Sequence, residues 1–287
     1  MMKRNNFPFS AVLGLNHAKT AILIVLVNPR AGGLLISGPR GIGKSTLMRS
    51  TQELIERPWR DIPVSVTEDR LFGTIDTEKA IYSGQKKLYP GIINEADQGV
   101  LYLDDANLLR EDLLDSILNI AEVGAYQLER DGLSLRCDTS FTVIAAINPE
   151  SGMLSGACLD QFGLFVNVDN IHDENTRVEI LKRTISFEKD CASFCNLWKL
   201  ENEKIKKAIH SAMSLLPKVV VSSAMIQLAS VYALKAHVSG HRADIYLIEA
   251  ARALAALAER RYVLPKDLEK ARSEERRVGK ECQRSCR

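Results

Sequence analysis

Three sets of residues have types and spacings suited to chemistry. The first is Gly38-Pro39-Arg40-Gly41-Ile42-Gly43-Lys44-Ser45, which fits G-x-x-x-x-G-K-[ST] between an apolar strand and a helical stretch. Without Cβ atoms at Gly41 and Gly43, the backbone N–H groups can turn inward around phosphates, and the following helix adds its positive dipole end. Lys44 then reaches the β- and γ-phosphates, and the Ser45 hydroxyl ligates Mg²⁺. A Gly-rich turn that binds nothing is the plainer alternative, and the complete motif in its required context weighs against it.

The second set is Asp104-Asp105, which closes the apolar run Val100-Leu101-Tyr102-Leu103. A carboxylate there suits the Mg²⁺-associated acid of a P-loop NTPase, a role expected of Asp104. A solvated turn is the alternative. The third set is the two C-x3-C pairs, Cys191/Cys195 and Cys282/Cys286. Their spacing is loose, no His lies nearby and 90 residues separate them, so reduced thiols are the better reading than zinc ligands.

The elements that must position these groups are legible in outline. Leu34–Ser37 reads as a buried strand leading into the Gly-rich loop, and Lys44–Ile55 as the helix after it. Val100–Leu103, Thr142–Ala146 and Leu164–Val168 read as further strands. Leu109–Ala121 reads as an amphipathic helix facing the core with Leu113, Leu114, Ile117, Leu118 and Ala121. Asp131-Gly132, flanked by Tyr126–Arg130 and Leu133–Cys137, is a strong hairpin signal. Alternating strands and helices predict a parallel α/β sheet. Beyond about residue 190 helices dominate, over Asn202–Leu215, Ser223–Ala236 and Asp244–Arg260. The expected organisation is a nucleotide-type α/β domain over 1–190 with a hairpin insertion near 126–137, then a smaller helical domain over 191–272.

Composition narrows the function classes. The chain has 287 residues, 46% of them hydrophobic and 26% charged, which excludes disordered and collagen-like architectures. The formal net charge of +2 lies wholly in residues 273–287, and the remainder is neutral, so bulk charge gives no argument for nucleic acid. The longest apolar run, Ala21–Val27, is too short to span a bilayer. The N-terminus has neither an apolar h-region nor transit character, so a cytoplasmic protein is expected.

With these residues placed, the sequence resembles the AAA+ ATPase subunit (subunit I) of magnesium chelatase over about Phe7 to Lys270. The similar stretches are Phe-Pro-Phe-Ser-Ala-Val-Leu-Gly (7–14), Val-Asn-Pro-Arg-Ala-Gly-Gly-Leu-Leu-Ile (27–36), Glu-Asp-Arg-Leu-Phe-Gly-Thr-Ile-Asp (68–76), Tyr-Pro-Gly-Ile-Ile (89–93), Leu-Tyr-Leu-Asp-Asp-Ala-Asn-Leu-Leu (101–109) and Leu-Glu-Arg-Asp-Gly-Leu-Ser (128–134). The resemblance implies an AAA+ core with a C-terminal helical lid, in a ring of copies, usually hexameric, with ATP between neighbours. The backbone of the opening segment borders the adenine. It also implies an AAA+-like partner with an integrin-type domain and a large porphyrin-binding subunit that inserts the metal. Asn148 matches sensor 1, whose amide can bond the attacking water and a γ-phosphate oxygen. Arg242 matches sensor 2, which would link the lid to the γ-phosphate. Without the resemblance, Asn148 could simply start a turn before Pro149, and Arg242 could be a solvated residue at a helix start.

Two positions depart from the family pattern. Asp105 stands where the family has the glutamate that polarises water, one methylene shorter. Gln161 stands where the family has an arginine finger, and brings no charge to offset the transition state. The stretch from Arg272 to Arg287 does not resemble the family's last helix and reads as a non-native tail, with a basic nucleic-acid-binding arm as its alternative. Three functions follow: an ATP-hydrolysing ring subunit driving metal insertion into a tetrapyrrole, a slowly hydrolysing nucleotide-dependent scaffold, or a chelatase-like chaperone of a metal-binding partner protein.

Overall fold

Short apolar runs form the strands, and the helices are placed by which of their faces those strands can cover. The computed structural model describes residues 6–75, 88–130, 133–235 and 241–274. Residues up to Glu56 carry α1 (Asn16–Val27), β1 (Leu34–Ser37) and α2 (Lys44–Thr51). Residues 57–161 carry β2 (Trp59–Ile62), α3 (Glu68–Phe72), β3 (Gly73–Ile75), β4 (Leu88–Pro90), α4 (Ile92–Glu95) and β5 (Val100–Leu103). They continue through α5 (Glu111–Val123), β6 (Ala125–Arg130), β7 (Leu133–Asp138), β8 (Thr142–Ile147) and α6 (Gly156–Leu159). From Phe162 onward come β9 (Leu164–Asn167), α7 (Glu174–Lys189), α8 (Cys191–Leu215), α9 (Ser223–Lys235), α10 (Arg242–Leu257) and α11 (Pro265–Glu274). These segments form two units: 57–161, and the remainder on either side of it.

In the unit 57–161, β2, β5 and β8 run parallel in that order, with Leu103 opposite Ile62 and Ala145. Every residue of β5 and β8 is buried, so these strands read as unbroken apolar runs rather than alternating ones. Helix α5 buries Leu113, Leu114, Ile117, Leu118 and Ile120, and ends on Gly124 in the left-handed conformation. The β6/β7 hairpin pairs Ala125 with Asp138 through Arg130 with Leu133, and its expected turn at 131–132 lies outside the described residues. The Tyr126 hydroxyl, 2.7 Å from the Phe72 carbonyl and 2.6 Å from Asn94 Oδ1, ties the hairpin to the α3–α4 region.

In the other unit, β1 and β9 pair in parallel, from Leu34 opposite Leu164 to Ser37 opposite Asn167. The chain approaches very closely where these strands begin. A Cβ at Gly163 would lie 1.7 Å from the Ala31 carbonyl, whereas glycine allows its N–H to bond Gly32 O at 2.7 Å. Tyr246 of α10 covers the same place, its ring sitting where a Cβ on Gly32 or Gly163 would fall. Asn28 donates to Glu249 Oε2 at 2.7 Å, and Glu249 in turn holds Arg252 at 3.0 Å, which fixes α10 against the approach to β1. Arg260 and Asp267 form a two-pronged ion pair at 2.6 and 2.8 Å that closes the turn between α10 and α11.

Several boundaries differ from expectation. The helix after the loop ends at Thr51, and a 3-10 turn over Gln52–Leu54 follows it. Helix α8 begins at Cys191 rather than near residue 202, and α7 precedes it without a single buried residue. The apolar run 21–27 forms most of α1 and is buried at Ala21, Ile22, Ile24, Val25, Leu26 and Val27. No helix among the described residues is long and apolar enough to cross a membrane. The tail from residue 275 lies outside the described residues.

Candidate functional site

The phosphate loop leaves β1 at its C-terminal end and turns through two left-handed residues, Gly41 at φ +83° and Gly43 at φ +91°. A side chain at either would be strained, so this turn fixes the glycine positions of the motif. Gly43 is the residue immediately before α2, so the loop's N–H groups and the helix N-terminus converge. Lys44 is 7% exposed, with Nζ donating to the carbonyls of Gly38 at 2.5 Å and Pro39 at 2.9 Å. The ammonium is therefore held over the loop by its own backbone. Ser45, Pro39 and Ile42 are half-buried, and Arg40 and Gly41 are exposed.

Beside the loop lies a cavity of about 820 Å³, within the range of sites for small organic ligands. Its walls come from four separated stretches: the N-terminal turn with Phe7, Val12 and Leu13, the loop with Ile42, the segment after β9 with Ile171, and α7 with Arg183. Phe7 is anchored by edge and tilted contacts with Phe187 at 5.1 Å and Phe194 at 5.3 Å. The loop, Lys44, Ser45 and the whole cavity belong to one unit. The cavity wall from α7 and from residues 169–172 escaped sequence reasoning. The tendency of ligands to bind outside the C-terminal ends of parallel strands was the available signal for the latter.

In the unit 57–161, Asp104 and Asp105 leave the C-terminal end of β5, and Asn148 leaves the same end of the adjacent β8. Asn148 is distant in sequence from the two adjacent aspartates, and the parallel pairing brings the two strand ends side by side. Both aspartates are half-buried, and Asp105 is left-handed at φ 51°, a conformation that Asp tolerates better than most residues. Asn148 is 2% exposed and caps the turn over Pro149–Ser151. Its Oδ1 accepts from Glu150 N–H at 3.2 Å, and Nδ2 donates to Ser151 Oγ at 3.2 Å. The turn-starting role is thus real, and an amide has a second N–H to give. Asn107 fastens this corner by donating to the Asn148 and Gly152 carbonyls at 3.1 and 3.0 Å. Gln161 closes the unit with its Oε1 buried and, among the described residues, without a hydrogen-bond partner.

Arg242 is the first residue of α10 and is exposed. One helical turn further along, Tyr246 rests on Gly32 and Gly163, at the starts of β1 and β9. The phosphate loop of the same unit lies at the other end of β1, about 13 Å along four residues of strand. Tyr246 therefore docks at the end of the strand pair away from the phosphate loop.

Lys19 and Cys195 are among the titrating groups shifted by their surroundings. Lys19 is lowered to about 8, first by burial and then by the charge of Arg183. Cys195 is pushed up to about 12, first by burial and then by the neighbouring Cys191 thiol. Among the described residues no group of three or more His, Cys, Asp or Glu could hold a metal ion. The other cysteine pair lies outside them.

Comparison with known proteins agrees with this layout. Residues 33–161 match the family described as AAA domain (dynein-related subfamily), and residues 227–273 match the AAA lid domain. The chain is 32% identical to the magnesium-chelatase subunit ChlI homolog of Methanocaldococcus jannaschii, over 94% of this chain and 84% of that protein. It is 34% identical to the magnesium-chelatase 38 kDa subunit of Rhodobacter capsulatus, over 88% and 81% of the two chains. It is 33% identical to the chloroplastic magnesium-chelatase subunit ChlI of Nicotiana tabacum, over 93% and 72%. The phosphate loop, the carboxylate-bearing strand, the helical lid and these relatives agree: the chain belongs to the magnesium-chelatase subunit I family of AAA+ ATPases.

Proposed function

We propose that this chain binds ATP with Mg²⁺, hydrolyses it in a ring of copies, and so drives metal insertion into a tetrapyrrole by partner subunits. The observation that carries the reading is the complete phosphate loop, with the buried Lys44 held on its carbonyls, beside a cavity large enough for a nucleoside. Gly38, Pro39, Arg40, Gly41, Ile42 and Gly43 form the phosphate cradle, Lys44 offsets phosphate charge, and Ser45 with Asp104 would hold the Mg²⁺. That ion supplies charge neutralisation on the phosphates when bound. Asp105 orients and deprotonates the attacking water, and the second N–H of Asn148 steadies it. Arg242 would serve as the sensor 2 residue, carrying the position of the lid to the γ-phosphate through a charge-assisted bond. The lid over 191–272 would report nucleotide state to the integrin-domain partner and the large porphyrin-binding subunit.

A second reading has its own support. The short Asp105 side chain on a left-handed residue and the uncharged Gln161 both favour a nucleotide-dependent scaffold with slow turnover. Sizing by light scattering with a slowly hydrolysed ATP analogue, alongside steady-state phosphate release, separates these possibilities. Assembly into a species of several subunits with sustained phosphate release supports the motor. Assembly with little release supports the scaffold, and a strict monomer at saturating nucleotide overturns both.

A further inference from the structure

The strand ends that bring Asp105 and Asn148 together are tied by a side chain that lies on neither strand. Asp105 O accepts from Leu108 N–H at 2.8 Å, which closes the 3-10 turn Ala106–Leu108 and fixes Asn107 at its centre. Ala106 and Leu109 are buried and anchor that turn in the core. Asn107 Nδ2 then crosses to the turn after β8, where it donates to the carbonyls of Asn148 at 3.1 Å and Gly152 at 3.0 Å. These residues stand just before and just after Pro149–Ser151, so one amide holds both ends of the turn that aims the Asn148 side chain. Gly152 reaches this contact with φ at +116°, a conformation that glycine adopts without strain.

Neither bond is needed to satisfy the carbonyl that receives it. Asn148 O also accepts from Ser151 N–H at 3.0 Å, and Gly152 is exposed, so water can serve its carbonyl. Asn107 itself is worse off for the arrangement. Both Nδ2 donors are engaged by carbonyls, which fixes the amide orientation, and Oδ1 is buried without a hydrogen-bond partner among the described residues. Nearly all buried polar atoms in folded proteins are paired, and an exception needs a reason. Stability does not supply one here, because an apolar side chain of the same shape would leave no orphaned atom. What the amide does supply is a fixed register between the two strand ends.

We propose that Asn107 is a positioning residue for ATP hydrolysis: by tying the turn after Asp105 to the turn of Asn148, it sets where the Asn148 amide stands relative to the Asp105 carboxylate. A water met by a carboxylate from one strand and an amide from the next tolerates little error in their separation. Misplacement by about 1 Å can lower a rate about a hundredfold. Asn107 acts here without touching nucleotide or water, so its effect falls on turnover and not on nucleotide affinity. This inference rests on the hydrolytic roles proposed above for Asp105 and Asn148, and it adds a residue that works through the second of them.

The test measures kcat by phosphate release at saturating ATP, and ATP Kd by calorimetry, on the full chain. The proteins are wild type, Asn107→Leu, Asn107→Ser, Asn148→Ala and the double variant Asn107→Leu with Asn148→Ala. Leu keeps the volume of Asn107 and removes the orphaned Oδ1, so that variant should unfold at about the wild-type temperature. Its kcat should fall about tenfold, with Kd within about twofold of wild type. Asn107→Ser is too short to reach either carbonyl and should reproduce the loss, which keeps the test decisive if Leu disturbs the corner. Asn148→Ala should lower kcat further, and adding Asn107→Leu to it should change kcat by less than about twofold, since nothing is left to position. Wild-type turnover in the folded Asn107 variants overturns the inference, as do losses that multiply in the double variant or a loss of ATP affinity equal to the loss of rate. Wild-type turnover in Asn148→Ala overturns the role of Asn148 and the inference with it. A wild type that binds ATP and releases no phosphate overturns instead the hydrolytic reading on which it rests.

Discussion

The unit 57–161 and the unit that flanks it carry different shares of the chemistry, and they differ in how fully each share is equipped. The flanking unit holds the phosphate loop and the cavity. There Gly41 and Gly43 have the required left-handed turn, Lys44 is buried on loop carbonyls, and the N-terminal turn that walls the cavity is clamped from two helices, by Arg183 Nη1 on Ala11 O and Lys19 Nζ on Val12 O. The unit 57–161 holds Asp104, Asp105, Asn148 and Gln161. There the Asn148 amide already serves a turn, Asp105 has a shorter reach than a glutamate, and Gln161 leaves a buried oxygen unpaired among the described residues. On the proposed function, binding and hydrolysis rest on separable residues in this chain, and the departures from family pattern fall only on the second.

Lys44→Ala is the strongest way to break that separation. It removes a buried cation from the phosphate site, where hydrogen bonds to charged groups contribute about 2 kcal/mol, so ATP affinity should fall roughly thirtyfold. Calorimetry at fixed Mg²⁺, with thermal unfolding to verify the fold, reads this directly. An equal loss from Asp105→Ala would mean that the binding function is not confined to the flanking unit.

A smaller effect should sharpen the comparison from the other side. Asp105→Glu and Gln161→Arg, separately and together, restore the family's reach and charge. If turnover is limited by these two positions, the double variant should hydrolyse ATP about tenfold faster or more, roughly 1.4 kcal/mol of barrier, at unchanged Kd. Phosphate release at saturating ATP in all four proteins, with assembly monitored by scattering, is the measurement. Equal rates with intact assembly would show that neither position limits hydrolysis.

What could be read from the sequence depended on whether the signal was local. The phosphate loop is a contiguous pattern, and β5, β8 and α5 each carry apolar periodicity that their own burial requires. Helix α1 was hidden because it is apolar nearly all round and rich in β-branched Ile22, Ile24, Val25 and Val27, so no 3.6-residue period stands out. Strand β2 was hidden because Arg60 and Asp61 are exposed side by side, which breaks the alternation. Helix α7 was missed for the opposite reason, since none of its residues is buried and Leu181 and Ile185 are exposed. Most of the cavity was beyond reach for a more basic cause: its walls join turns and helices far apart in sequence, and only packing brings Arg183 to Ala11, 172 residues away. The docking of α10 at the strand starts likewise depends on Tyr246 meeting two glycines far apart in sequence.

The smallest effect concerns whether the clamp on the wall turn acts through charge or through packing alone. Lys19 titrates at an ordinary 10.5 in the unfolded chain and at about 8 in the fold, lowered first by burial and next by Arg183. Between those two pH values the unfolded chain holds one more proton than the folded one, so this group makes stability rise with pH across the window. Below about pH 8 the ammonium is charged in both states and its full cost is present. Lys19→Met removes that cost, so its stability advantage over wild type should be greatest near pH 7 and shrink as pH approaches 10.5. Solvent screening of a half-buried group holds the difference to about 1 kcal/mol or less. Chemical denaturation of both proteins at pH 7, 9 and 10 measures it, because groups common to the two cancel in the difference. Arg183→Met should move the Lys19 titration upward and narrow the same window. A difference independent of pH in both backgrounds would mean that Lys19 serves the turn by its apolar stem, and that the ammonium on Val12 O contributes nothing to holding it.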